Sequence, residues 1–283
     1  MASSERAQWA RLDLDGVAVL ADLAAGVSLA RALHFEAAQL RCFDAPPATS
    51  VPLRLGHSNA RVSEGASCNA SIVSFAPHVH GTHTECVGHL TVEPVAAWRL
   101  IPQRLLVTVL MSLRPTPAAT SADTSQPAAQ STDALLTRAA LLAAWPAAPA
   151  ERLGARAAVI RTLPNDPDKF SDAAAAGSAM PPYLSLQATR ELVARGIAHL
   201  VLDLPSADRL QDGGALSAHR LFFGLPSGGT QLAQAQRPEC TLTELAYIED
   251  GVPDGWYLLS LQAPCIDGDA VPSRPVLYPL RVA

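Results

Sequence analysis

Three apolar runs, 105-LLVTVLMSL-113, 157-AAVIRT-162 and 199-HLVLDLP-205, constrain the fold of this chain more than any other feature. Each has the length of a strand and little to present to water, so each reads as a buried strand, the third closed by its proline. Between them, Ala134–Ala144 and Leu184–Arg195 carry the spacing of helices, and Gly196 ends the second. Strand, helix, strand in that order calls for an α/β class fold with at least one parallel pair. No segment reads as an independent unit and no internal repeat is visible, so residues 1–283 are expected to form one domain.

The remaining segments are weaker signals. Val19, Leu20, Leu23 and Val27 recur at helical spacing and predict a helix over Val17–Leu33. The prolines of 41-RCFDAPPATSVPL-53 call for loop or extended chain, and 71-SIVSF-75 for a strand. The stretch 114-RPTPAATSADTSQPAAQSTD-133 has almost nothing to bury and is expected to be a mobile surface insertion.

Hydrophobic residues at 49% and charged residues at 17% argue against disorder, and a net charge of −5 gives no electrostatic footprint for nucleic acid. No apolar segment approaches the roughly 18 residues of a membrane span, and the N-terminus lacks an uninterrupted apolar stretch. The expectation is a soluble, cytoplasmic protein. Five scattered cysteines without a C-x-x-C pair read as reduced thiols.

The chemistry concentrates in 78-HVHGTHTECVGH-89, where four of the eight histidines, a glutamate and a cysteine share twelve residues. A divalent transition metal takes imidazole nitrogens and carboxylate oxygens, and a catalytic site leaves a position open for water. In extended chain, His83 and Glu85 project to one side, as do His78 and His80, either of which could complete the ligand set. His89, four residues beyond Glu85, is a further ligand or a proton carrier. The preceding strand is expected to deliver the cluster into a loop. A nucleophilic Cys86 beside the imidazoles is the competing chemistry, and a metal site without turnover is a third reading. Trp98, Trp145 and Trp256 read as core or interface residues, and Phe222 and Phe223 as packing.

The run 77-PHVHGTHTECVGH-89 resembles the signature H-x-G-T-H-x-D-x-P-x-H of the cyclase-like metal-dependent hydrolases, a family that includes bacterial kynurenine formamidase and isatin hydrolase. Downstream, 203-DLPSADRLQDGGALSAHRLFF-223 and 241-TLTEL-245 resemble the family's later ligand segments, and 42-CFDAPP-47 resembles a stretch of its GTHTE subgroup. The resemblance implies a single α/β domain of the swivelling β/β/α type, with a mixed sheet core and flanking helices. It implies one or two divalent ions, zinc ahead of manganese. His83 then matches the second histidine ligand and Glu85 the carboxylate that contacts both metals. His219 matches the histidine of the second metal, Glu244 the late bridging glutamate, and His89 the acid/base histidine. The first ligand is His78, after a one-residue insertion, or else His80. Asp203 and Asp208, with His80, are expected to orient ligands from behind or to close turns. Glu85 in place of aspartate and Val87 in place of proline are departures from the pattern. The implied reaction is hydrolysis of a small formamide, amide or lactam, in a homodimer or homotetramer.

Overall fold

A computed structural model describes residues 8–14, 16–37, 39, 43, 45–56, 58–150, 152–169 and 180–283. Cys42, Asp44 and His57 lie outside the described residues. Four strands, Leu106–Leu113, Ala157–Thr162, His199–Leu202 and Thr241–Glu244, run parallel side by side and form the middle of an eleven-stranded sheet. Both flanks are antiparallel. On one side Gly255–Ser260 joins Leu106–Leu113, followed by Val276–Val282, Val17–Asp22 and Trp9–Leu14, with Val27–Ser28 also paired to Val276–Val282. On the other, His83–Cys86 joins Thr241–Glu244, and Ala270–Pro272 joins His83–Cys86. The class is the expected one, α/β with a mixed sheet.

Alternation along the parallel strands builds two cores. Val109, Met111, Ala158, Ile160, Leu200 and Leu202 face a layer of helices Arg138–Ala144, Leu186–Ala194 and Ser217–Phe223, which contribute Leu141, Leu192 and the Phe222–Phe223 pair. Leu110, Ala157, Val159 and Val201 point the other way, against Leu29, Ile248 and Tyr257. Phe222 and Phe223 are thus packing residues, buried at 1% and 0% exposure.

Three expectations about local structure need correction. Val17–Leu33 is not a helix: Val17, Val19 and Ala21 are buried while their neighbours are half-buried, the period of a strand. The readable signal was Gly16, which lies between the antiparallel strands Trp9–Leu14 and Val17–Asp22, adopts φ +81° and donates its N–H to Asp13. Ala134–Leu136 is a short strand, and the helix begins after Thr137, whose hydroxyl accepts from the Ala140 N–H. The insertion at 114–133 is largely exposed, yet it is tethered. Thr116–Pro117 pairs with Ala134–Leu136, Asp123 accepts from Arg138 N–H and Ser185 Oγ, and Thr124 N–H donates to Gln187.

Candidate metal centre

The histidine cluster is not a loop but three short elements. Pro77–His80 is one helical turn, His83–Cys86 is a buried strand, and Val87–His89 is a 3-10 turn. The strand matters most. Its register sets His83 opposite Glu244 and Glu85 opposite Leu242, so His83, Glu85 and Glu244 share one face at the carboxyl end of the parallel Thr241–Glu244 strand. Sites of open α/β sheets form at these ends. Leu245 follows at φ +54°, a strained angle for leucine, held by its N–H to the Leu204 carbonyl and its carbonyl accepting from Thr82 Oγ1.

Three groups of donors converge there among the described residues. His78, His83 and Glu85 form one, Glu85, His219 and Glu244 a second, and His78, His89 and Asp269 a third, more exposed one, each with ligand atoms within 4.8 Å of one another. Glu85 belongs to the first two: Oε2 lies 3.0 Å from His78 Nδ1 and Oε1 lies 2.9 Å from His219 Nε2. His83 donates its Nδ1–H to the Gly81 carbonyl at 3.0 Å, which leaves the Nε2 lone pair buried, without a hydrogen-bond partner and 3.7 Å from Glu244 Oε2. A bare, buried imidazole nitrogen aimed at carboxylate oxygens is a poor arrangement for the protein alone and a good one around a cation. The donor set of the first two groups, three imidazoles and two carboxylates, fits a divalent metal ion.

The electrostatics agree. Burial opposes charge on both His219 and Glu85, but each holds the other charged: Glu85 and the Asp208 contact push His219 well above the usual imidazole range, while His219 pulls Glu85 well below the usual carboxylate range. Burial would lower the His78 pKa, yet its hydrogen bonds to Asp269 and Glu85 outweigh this and raise it to about 10. His83 goes the other way, lowered by burial, and keeps its neutral, ligating form. Without a cation, protons on His78 and His219 balance the carboxylates.

Asp208 accepts from the Ala218 and His219 backbone N–H groups at 2.7 and 3.0 Å and from His219 Nδ1 at 2.7 Å. It therefore turns the His219 Nε2 toward Glu85. His80 does nothing comparable. Its Nε2 donates to the Pro46 carbonyl and its Nδ1 accepts from the Ala76 N–H, so both nitrogens are spent on backbone away from the donor groups. Asp203 is also corrected: it accepts from Thr162 N–H and Oγ1 and pairs with Lys169 at 2.6 Å, touching none of the converging histidines. Cys86 is fully buried, its thiol donates to the Val95 carbonyl, and burial raises its pKa to about 11. That is an inert thiol.

His89 lies at the open edge with Nδ1 3.1 Å from Asp269 Oδ2, and its ring centroid is 4.2 Å from that of His78 and 6.1 Å from that of His219. Sequence reasoning missed Asp269. It comes 180 residues after His89 in 265-CIDGDA-270, where an aspartate beside glycine reads as a turn, and only the Ala270–Pro272 strand brings it to the cluster.

Strand order and site together define an α/β protein with a buried centre of histidines and carboxylates at the ends of its parallel strands. Residues 22–209, more than half of the chain, match the Cyclase family model, and the chain belongs to that family. The match contains His78, His83, Glu85 and His89 and ends before His219, Glu244 and Asp269. No curated protein matches the sequence significantly. Among solved structures, the chain is similar to an isatin hydrolase bound to the product analogue thioisatinate, with a TM-score of 0.58 at 17% identity over 90% of this chain and 92% of that one. It is similar to isatin hydrolase A from Ralstonia solanacearum, with a TM-score of 0.54 at 14% identity over 89% and 91%. A predicted metal-dependent hydrolase from Bacillus stearothermophilus gives a TM-score of 0.53 at 16% identity over 89% and 97%. At these identities the likeness is one of fold.

Proposed function

We propose that the chain is a metal-dependent hydrolase that cleaves a carbon–nitrogen bond in a small formamide, amide or lactam. The observation that carries the reading is Glu85, shared between two donor groups beside the unpartnered Nε2 of His83. A divalent cation held by such residues supplies a Lewis acid and an acidified water at neutral pH. The remaining work falls to side chains. His78, His83 and Glu85 hold one ion, and Glu85, His219 and Glu244 hold a second where two are bound; zinc is the first choice and manganese the next. Asp208 keeps His219 in its ligating orientation. His89, whose Nδ1 is engaged by Asp269, has Nε2 left to take a proton from the attacking water and then hand it to the leaving nitrogen.

The resemblance to kynurenine formamidase makes N-formylkynurenine, and with it a role in tryptophan catabolism, the first substrate to try; the fold shared with isatin hydrolases makes isatin the second. Glu85 in place of aspartate lengthens the shared ligand by about one methylene, and this supports a substrate that differs from both. A homodimer or homotetramer belongs to the same reading. So does a cytoplasmic location, supported by free Cys68, Cys86, Cys240 and Cys265. Among the described residues no helix is long and apolar enough to cross a membrane.

The test is elemental analysis of the wild type and His83→Ala, with hydrolysis of both substrates in the presence and absence of chelator. Metal bound by the wild type, lost by the variant, with turnover that chelator abolishes is the expected result. No metal after reconstitution overturns the reading, and metal without turnover on a wide amide and lactam panel leaves a binding protein.

A further inference from the structure

Asp269 stands where two histidines with different tasks meet. Its Oδ2 lies 2.9 Å from His78 Nε2 and 3.1 Å from His89 Nδ1. An ionised carboxylate only accepts, so both of those nitrogens carry their protons toward it. For His89 the choice of tautomer follows directly; His78 lies between two carboxylates and is protonated on both nitrogens here, and with a cation in place of the Nδ1 proton it would keep the one on Nε2. His78 presents Nδ1 to Glu85 Oε2 at 3.0 Å, and His89 presents Nε2 to the open edge. The aspartate is also held rigidly: its own carbonyl accepts from the Cys86 N–H, the Gly268 carbonyl accepts from the Ala97 N–H, and Ala270 pairs with Glu85. The backbone of Asp269 is thus fixed to the strand that carries His83 and Glu85, which brings its carboxylate within reach of both imidazoles.

We propose that Asp269 is a positioning residue that sets the tautomers of His78 and His89 together, so that one carboxylate oxygen selects both the metal-holding and the proton-delivering nitrogen. The His89 half of this statement rests on the hydrolase reading above. The tautomers themselves do not, and they can be read without turnover.

The experiment is two-dimensional NMR of the ring nitrogens in zinc-loaded protein labelled with 15N-histidine, for wild type, the near-isosteric Asp269→Asn and Asp269→Ala. Zinc affinity by chelator competition and steady-state kinetics accompany it. In the wild type, His89 is expected to carry its proton on Nδ1 and His78 to bind zinc through Nδ1. In both variants His89 shifts toward the Nε2–H form, and zinc affinity falls by about 10- to 100-fold. Where a substrate is turned over, kcat normalised to folded, zinc-loaded protein falls by roughly 100-fold or more while KM changes little; loss of folding lowers only the uncorrected kcat, so the normalisation separates the two. Ring spectra unchanged in both variants overturn the proposal, as does a wild type with zinc on His78 Nε2. A wild type that binds zinc and hydrolyses nothing instead removes the hydrolase reading, and the spectra still decide the role of Asp269.

Discussion

Cys86 adjoins Glu85, and from sequence alone an imidazole-rich neighbourhood is a reason to suspect a reactive thiol. Burial reverses that inference, because a thiol raised to about 11 and bonded to the Val95 carbonyl supplies almost no thiolate at neutral pH. Cys86→Ser is therefore expected to leave turnover within a few-fold of wild type, and chelator to abolish what remains; activity that survives chelator and is lost in the variant would revive the thiol chemistry. Asp203 calls for a different experiment. Fully buried and raised by that burial, it is held ionised chiefly by Lys169. Lys169→Met strands the carboxylate and is expected to cost about 3–5 kcal/mol in urea unfolding, with the metal content of the folded fraction unchanged. At this scale the sequence carried much of the site. His78, His83, Glu85 and His89 were legible because one strand and its flanking turns bring them together locally. Asp269 was not, since only sheet pairing joins it to them, and Asp203 was misread because proximity to a motif says nothing of where a side chain points.

Among the elements, the 3-10 turn Val87–His89 has little freedom. A Cβ built on Gly88 would lie 2.9 Å from the Val95 carbonyl oxygen and 3.0 Å from Val95 Cβ, and backbone cannot swing aside. Gly88→Ala is expected to displace the turn and with it His89, lowering kcat by about tenfold or more at full metal occupancy, for a cost of roughly 1–3 kcal/mol in stability. Turnover at the wild-type level, with kcat and zinc content measured on one preparation, would show that the turn yields. Elements with a buried apolar run were readable, as were helix ends with a cap: Ser185 accepts from the Ala188 N–H, and Gly196 adopts φ +76° after Leu186–Ala194. Val17–Asp22 was misread because Leu20 and Leu23 mimic a helical period that the hairpin turn at Gly16 excludes.

For the whole molecule, pH and metal are the two handles. His199 is buried where its parallel strand begins, and burial, reinforced by Arg156, Arg104 and Arg237, lowers its pKa from 6.5 to about 4. The unfolded chain takes up this proton near pH 6.5 and the folded chain only near 4. Stability is accordingly lost as pH falls through that window, by about 3 kcal/mol for this group. Urea titrations at pH 7 and 4.5 should show a steeper loss in the wild type than in His199→Gln, and equal slopes would refute the assignment. Adding chelator at neutral pH should lower Tm, and restoring zinc should raise it in proportion to the logarithm of free metal. The parallel centre of the sheet was legible from strand, helix, strand order. Its antiparallel flanks were not, because their partners lie far apart in sequence: Val17–Asp22 pairs with Val276–Val282, and His83–Cys86 with Thr241–Glu244.

That last pairing bears on the order in which the protein is made. The ladder partners of the His83–Cys86 strand, Thr241–Glu244 and Ala270–Pro272, leave the ribosome long after the strand itself. At about 5–20 residues per second, roughly ten to forty seconds separate their synthesis from that of the strand. Throughout that interval the four histidines hang on an unpaired segment that can offer a cation only a partial grip. The complete ligand set closes only once those partners arrive, and a chain truncated before Thr241 keeps the histidines without the pairing and the Glu244 carboxylate that complete the centre.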